Sequence, residues 1–252
     1  MRLCPGISFR EARVDLRLDR YLYSRDMVRS RTRAKELILK GAVKVDSKVV
    51  KKPSFEVSQD SIVEIEGDDI FVSRAGEKLW RYLQKGALNP AGSTVLDVGA
   101  STGGFTQVML LKGAASVTAL DVGKLQLHES LRRDPRVKVL EETDIRDFSP
   151  AKRYDIVTCD VSFISLLSIA DYLDGLFLKN LLVLFKPQFE VGKEAKRDSK
   201  GVVKDQKAIK EAMRRFESLA EEKGWILIDK SPSEIKGKEG NQEYFYLFER
   251  AK

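Results

Sequence analysis

The sequence predicts a doubly wound α/β domain preceded by a small α+β domain. Three observations carry this. From residue 74 onward, strand-like and helix-like segments alternate, with strands expected near 94–98, 116–121, 137–140, 154–159, 180–186, 225–229 and 243–249. Ahead of them, residues 17–52 combine two short helical patterns with a basic hairpin. Between strand and helix at 94–112 lies a glycine-rich turn, Asp97-Val-Gly99-Ala-Ser-Thr-Gly103-Gly104. The chain has 252 residues, 42% of them hydrophobic, enough for one large domain or two smaller ones.

Taken in order, residues 1–15 read as an N-terminal extension. Met1–Arg20 is basic but lacks the continuous apolar stretch of a signal peptide. The small domain is expected over 16–66. Leu18, Tyr21 and Leu22 follow helical spacing; Ser30 can cap a second helix with Ala34, Leu37 and Ile38 on its buried face and Gly41 as its stop. Ala42–Val45 and Lys48–Val50 read as a hairpin around Asp46-Ser47. Pro53 breaks the pattern, and Ser61–Glu66 reads as another strand. Gly67-Asp68-Asp69 marks a turn within a linker over 67–73, and the large domain runs over 74–252. Polar residues 187–203 read as a long loop beside the site. No internal repeat or low-complexity tract is apparent.

The net charge of +7 is concentrated. Residues 17–52 hold 12 Lys and Arg against 4 Asp and Glu, a local +8, which leaves the remainder at −1. Such a localised excess is the footprint of a nucleic-acid-binding module. Its candidate contacts are Arg17, Arg20, Arg31, Arg33, Lys35, Lys40, Lys44 and Lys48; a merely solvated charged face is the alternative. Two cysteines, Cys4 and Cys159, make neither a disulfide framework nor a metal motif, so a reduced, cytoplasmic protein is expected. With His128 as the only histidine, no metal site is expected.

A strand, a glycine turn and a helix N-terminus together form a nucleotide-binding crevice. A dinucleotide fingerprint would read G-x-G-x-x-G. Here the spacing is Gly99-x-x-x-Gly103-Gly104, and Ala-Leu-Asp121 closes the next strand, where an acid can grip a ribose diol. This layout resembles the S-adenosylmethionine site of Rossmann-like class I methyltransferases; another nucleotide binder on the same fold is the alternative. The resemblance implies that the backbone of Gly99, Ser101, Gly103 and Gly104 contacts the methionine part of the cofactor, with Asp97, Ala100 and Phe105 also in the cofactor site. It also implies that Asp121 meets the ribose and Asp144, in Glu-Thr-Asp144-Ile, the adenine amino group. Phe163 either flanks the cofactor, stacks on a target base or is an ordinary core residue.

Asp160 follows the buried-strand pattern Tyr154-Asp-Ile-Val-Thr-Cys159, at the functional carboxyl edge of such a sheet. Its word, Asp160-Val-Ser-Phe163, lacks the Asn/Asp-Pro-Pro-aromatic sequence of many amino-methyltransferases. Lys186 finishes an apolar strand before Pro187, Glu243 opens the last strand, and Lys78 begins the helix before the first. Each alone could be a surface charge. Together Lys78, Asp160, Lys186 and Glu243 resemble the Lys-Asp-Lys-Glu tetrad of FtsJ-like RNA 2′-O-methyltransferases.

The words Val72-Ser-Arg-Ala-Gly-Glu-Lys78-Leu, Phe185-Lys186-Pro-Gln-Phe-Glu190-Val-Gly and Gly240-Asn-Gln-Glu243-Tyr-Phe are more specific still. The basic segment, with Leu18-Asp19-Arg20-Tyr-Leu, Ser30-Arg31-Thr-Arg33-Ala-Lys35-Glu-Leu-Ile and Gly41-Ala-Val-Lys-Val-Asp46-Ser-Lys48-Val, resembles the S-four-type RNA-binding domain, named for a small-subunit ribosomal protein. From about 16 to 250 the chain resembles the TlyA family, with Ala75 where relatives often carry glycine. That resemblance implies an rRNA cytidine 2′-O-methyltransferase that uses S-adenosylmethionine, works on ribosomal subunits or the ribosome, and favours large-subunit rRNA.

The tetrad suits that chemistry. A ribose hydroxyl is a poor nucleophile until it loses its proton, and a neutral lysine amine can take it. An ordinary lysine is protonated at pH 7; burial and a second cation favour the neutral form. Carboxylates oppose that effect, so their work is expected to be orientation. Three rivals stand beside this reading. A non-catalytic RNA-binding factor has no use for the glycine turn or for Lys186. A cysteine-dependent base methyltransferase would need Cys159, which lies in a buried strand and has no partner cysteine. A membrane-active haemolysin would have to insert 163–185, where Asp171, Asp174 and Lys179 would each cost roughly 2.5–3.5 kcal/mol.

Overall fold

The computed structural model describes residues 16–25, 27–28, 30–58, 61–65 and 71–251. The expected N-terminal extension at 1–15, the turn at Gly67-Asp68-Asp69 and the last residue of the Ser61–Glu66 strand lie outside them. The chain forms two compact units, residues 1–70 and 71–252.

In the first unit, β1 (Leu16–Arg17) leads into α1 (Leu18–Ser24), followed by α2 (Arg31–Lys40), β2 (Val43–Val45), β3 (Lys48–Val49), β4 (Glu56–Val57) and β5 (Val63–Ile65). The Ser30 hydroxyl accepts the Arg33 N–H at 3.1 Å, starting α2. Gly41, at φ +77°, ends it in the left-handed conformation that a side chain disfavours. Asp46 and Ser47 both take positive φ, as a two-residue hairpin turn requires. Strand β2 pairs antiparallel with β3 and with β5. The β1–β4 pair, which the sequence pattern did not suggest, forms a separate two-stranded ladder. Leu18, Leu22, Ala34, Leu37, Ile38 and Val43 fill the core.

The second unit begins at Phe71, so 71–73, expected in the linker, belong to it. Its elements are α3 (Arg74–Leu83), β6 (Thr94–Val98), α4 (Gly104–Leu111), β7 (Ser116–Leu120), α5 (Glu129–Arg132), β8 (Val137–Leu140) and β9 (Tyr154–Cys159). There follow α6 (Ala170–Asp174), β10 (Phe177–Phe185), α7 (Pro187–Glu190), α8 (Gln206–Glu222), β11 (Trp225–Pro232) and β12 (Tyr244–Arg250). Seven strands form one sheet in the order β11-β12-β10-β9-β6-β7-β8. The five strands from β10 to β8 run parallel; β12 pairs antiparallel with β10 and with β11, so it alone runs against the rest. Alternation of side chains splits the sheet between two cores. Val95, Leu182, Leu184, Phe245 and Leu247 pack with α3 and α4; Leu96, Leu181, Val183, Tyr246 and Phe248 pack with α6 and α8.

Several boundaries differ from expectation: Lys78, expected to begin its helix, is the fifth residue of α3, and Glu243, expected to open the last strand, lies just before β12. Lys186 lies one residue beyond β10, at the start of α7, because Pro187 cannot continue the strand. The loop expected over 187–203 opens with α7 and is drawn together by a bridge between Arg197 and Val203. Among the described residues no helix is long and apolar enough to cross a membrane.

Candidate active site

The chain runs outward from β6 to β8 and then returns to β9 on the other side of β6. That reversal opens a crevice at the carboxyl ends of β6 and β9, the place where such sheets bind ligands. Here the backbones are nearly in contact. The Asp160 N–H donates to the Val98 carbonyl at 3.0 Å, and a Cβ on Gly99, whose φ is +77°, would stand 3.0 Å from the Asp160 carbonyl oxygen.

A cavity of about 490 Å³ occupies this crevice, with Gly99, Ser101, Asp121, Asp144, Asp160 and Phe163 in its wall. A smaller cavity of about 170 Å³ adjoins it, sharing Gly99, Ser101, Asp160 and Ser162 and adding Ala100, Phe105 and Lys186. The Asp121 carboxylate accepts the Ser101 N–H at 2.8 Å and the Gly123 N–H at 2.7 Å, coupling the glycine turn to the segment after β7. Asp144 is held in two contacts by Arg146, whose guanidinium keeps its carboxyl below the usual range.

Three of the expected cofactor residues face elsewhere. Asp97 is fully buried, and its oxygens are taken by the Thr106 N–H and hydroxyl, at 2.8 and 2.7 Å, and by the Thr158 hydroxyl at 2.9 Å. It ties β6 to β9 and to the start of α4; burial pushes its carboxyl up to about 6 despite those hydrogen bonds. Gly103, at φ +91°, lies against Leu131 and Leu127. Gly104 lies against Ser73 and Gly76, so that a Cβ there would come 2.1 Å from the Ser73 hydroxyl. The second glycine is thus required by close packing of α4 on α3.

The tetrad converges. Lys186 Nζ lies 2.7 Å from Asp160 Oδ1 and donates to the Ser162 hydroxyl at 2.9 Å. Lys78 Nζ donates to Glu243 Oε2 at 2.6 Å, and Gln188 reaches the other Glu243 oxygen at 3.4 Å. Exposure is only 8% for Lys78, 9% for Lys186 and 3% for Glu243. Burial pushes the Asp160 carboxyl up, opposed chiefly by Lys186 and also by Lys78, while Glu243 adds to the rise. The four mostly buried groups therefore act on one another. Ser162 and Gln188 were not singled out from the sequence as site residues, although both stand inside words that were.

Phe163 is 91% exposed at φ +65°, with its ring 5.0 Å from Phe189, so the core alternative for it fails. Cys159 is fully buried, and burial pushes its thiol up to about 12, which makes it a poor nucleophile. No three His, Cys, Asp or Glu side chains gather as a metal-ligand set among the described residues.

In the first unit, Arg17 and Arg31 both reach the buried Asp19 carboxylate, at 3.0 and 2.9 Å. Burial alone would raise that carboxyl, but the two guanidiniums more than offset it and hold it below its ordinary value. Arg33 pairs with Glu36. Arg20, Lys35, Lys40 and Lys48 are exposed, and Lys44 is half-buried.

The comparisons give the class of this doubly wound sheet: it is that of a methyltransferase. The FtsJ-like methyltransferase model matches residues 71–250, and the S4 domain model matches residues 16–63. A 23S rRNA (cytidine-2′-O)-methyltransferase TlyA from Campylobacter jejuni is 49% identical over 71% of this chain and 71% of its own. A 16S/23S rRNA (cytidine-2′-O)-methyltransferase TlyA from Mycobacterium tuberculosis is 42% identical over 94% of this chain and 89% of its own. A solved structure from Streptococcus thermophilus, provisionally called a hemolysin, superposes with a TM-score of 0.68 at 31% identity, covering 95% of this chain and 90% of that one. The chain belongs to the TlyA family of FtsJ-like methyltransferases.

Proposed function

We propose that this enzyme transfers a methyl group from S-adenosylmethionine to the ribose 2′-hydroxyl of a cytidine in rRNA, within a ribosomal subunit or the ribosome in the cytoplasm. Large-subunit rRNA is the first choice, because it is common to the names of both relatives. The observation that carries the reading is the Lys186–Asp160 pair in the wall of the smaller cavity, beside the larger one, with the buried Lys78 and Glu243 charges near enough to act on Asp160.

The cavity fits the cofactor. A side chain at Gly99 would fill the turn; Asp121 and Asp144, both in the wall of the larger cavity, are the groups for the ribose diol and the adenine amino group. Gly99, Ala100, Ser101 and Phe105 border the methionine end, while Asp97, Gly103 and Gly104 support the turn from behind. The bound cofactor supplies a methyl group on a positively charged sulfur, so the protein's task is alignment and removal of one proton. Lys186 lines the smaller cavity and is the group that accepts the 2′-hydroxyl proton. Asp160 and Ser162 fix its Nζ; Glu243 fixes Lys78, the second cation, which orients the hydroxyl. Phe163 presents an exposed ring at the cavity wall for stacking on the cofactor or the target base. The first unit supplies affinity for RNA through Arg20, Lys35, Lys40, Lys44 and Lys48, with Arg17, Arg31 and Arg33 also committed to ion pairs within it.

Mapping 2′-O-methyl groups in rRNA from cells with and without the gene tests the reading. A cytidine methylation that disappears with the gene and returns in vitro with purified protein and S-adenosylmethionine supports it; an unchanged methylation map overturns it.

A further inference from the structure

The segment 121–128, after β7, serves the site in two ways. Val122 and Gln126 line the larger cavity. Leu127 covers the glycine turn: a Cβ on Gly103 would come within 2.7 Å of its Cδ1. The segment has no regular secondary structure, and it places Leu125 at φ +52°, a conformation that side chains rarely adopt. Its first half is held by backbone bonds, from Glu142 N–H to the Gly123 carbonyl and from Thr143 N–H to the Asp121 carbonyl, both 3.0 Å.

Its second half is held differently. Glu141, just past β8, accepts three successive amides on one carboxylate. Oε2 takes the Leu125 N–H at 2.7 Å; Oε1 takes those of Gln126 at 2.8 Å and Leu127 at 3.0 Å. Converging backbone amides of this kind make an anion-binding concavity. Arg132 of α5 bonds to the same carboxylate and donates from Nε to the Leu127 carbonyl at 3.0 Å, which closes the ring. The Arg132 guanidinium, together with the three amides and against a modest burial, holds the Glu141 carboxyl down to about 2. Neither Glu141 nor Arg132 lines either cavity.

We propose that Glu141 is a positioning residue of the cofactor site: by fixing residues 125–127 it sets affinity for S-adenosylmethionine, and it takes no part in methyl transfer. The inference rests on the cofactor named under Proposed function. Glutamine keeps the size of the side chain but offers one acceptor oxygen in place of two, and turns an amide toward N–H donors.

Calorimetry of the full-length chain with S-adenosylmethionine, paired with methyl transfer at saturating cofactor, tests it. Glu141→Gln is expected to raise the dissociation constant about ten-fold or more while kcat stays within about two-fold, as loss of binding without loss of transition-state stabilisation requires. Arg132→Gln is expected to act in the same direction by about three-fold. It carries the test if circular dichroism shows that Glu141→Gln does not fold. An unchanged dissociation constant in a folded variant overturns the inference, as does a fall in kcat with binding intact. Failure of the wild-type chain to bind the donor overturns the cofactor reading, and this inference with it.

Discussion

Lys78 and Glu243, 165 positions apart in the chain, meet at 2.6 Å with less than a tenth of either side chain exposed. Lys78 comes from α3, ahead of the first strand of the sheet, and Glu243 immediately precedes the last. The pair therefore ties the first helix of the domain to the start of its last strand. Removing one partner of a buried pair leaves an uncompensated charge and costs about 3–5 kcal/mol. Lys78→Met alone is expected to destabilise by that order in urea unfolding, and Glu243→Gln likewise. The double variant should recover most of the loss, because the buried charge is then gone. All three should lack methyl transfer. Recovery of activity in the double variant would show that the pair is structural.

Lys186 distinguishes catalysis from scaffolding. Lys186→Ala should reduce methyl transfer by about 10²–10⁴-fold, the usual contribution of a general base, while donor and RNA still bind. Lys186→Arg should fail too, since a guanidinium stays protonated. Rates in single-turnover assays decide the matter. A loss of only about two-fold in Lys186→Ala would pass the role to Asp160, which already stands 2.7 Å away.

Asp97 gives the fold a pH signature. Its carboxyl is raised from near 4 to about 6 by burial, so between those values the folded chain holds a proton that the unfolded chain has released. The stability this group contributes is fully present below about pH 4 and is lost as pH rises through about 6. The shift corresponds to at most about 3 kcal/mol. Asp97→Asn removes the titration. The stability difference between wild type and variant should therefore move against the wild type from pH 4 to pH 7 in urea unfolding. A constant difference over that range would show that Asp97 ionises normally.

The basic unit should separate RNA contact from internal pairing. Lys35→Glu and Lys48→Glu change exposed cations. Each should weaken rRNA binding and reduce its salt slope by about one, with melting temperature unchanged. Arg31→Glu should do both kinds of harm, because it also removes a partner of the buried Asp19 carboxylate. Filter binding over a salt series, read beside thermal unfolding, tests this; unchanged slopes in Lys35→Glu and Lys48→Glu would place the RNA elsewhere.

The sequence by itself determined the features that repeat or punctuate locally. Alternating apolar runs marked all seven strands of the large sheet, Ser30 and Gly41 bounded α2, and the glycine turn with the words around Lys78, Asp160, Lys186 and Glu243 marked the site. These signals are legible because strand alternation, caps and positive-φ turns act within a few residues. Which side chains meet was decided only by the tertiary structure. Strand order put β9 beside β6, which brought Asp160 against Gly99, and β10 beside β9, which brought Lys186 onto Ser162. Packing also turned Asp97 inward to Thr106 and Thr158, set Gly104 against Ser73, committed Arg17 and Arg31 to Asp19 in the first unit, and left Phe163 in the open. Glu141 carried no motif, because its partners are backbone amides, which any sequence supplies; only the path of the chain aims three of them at one carboxylate.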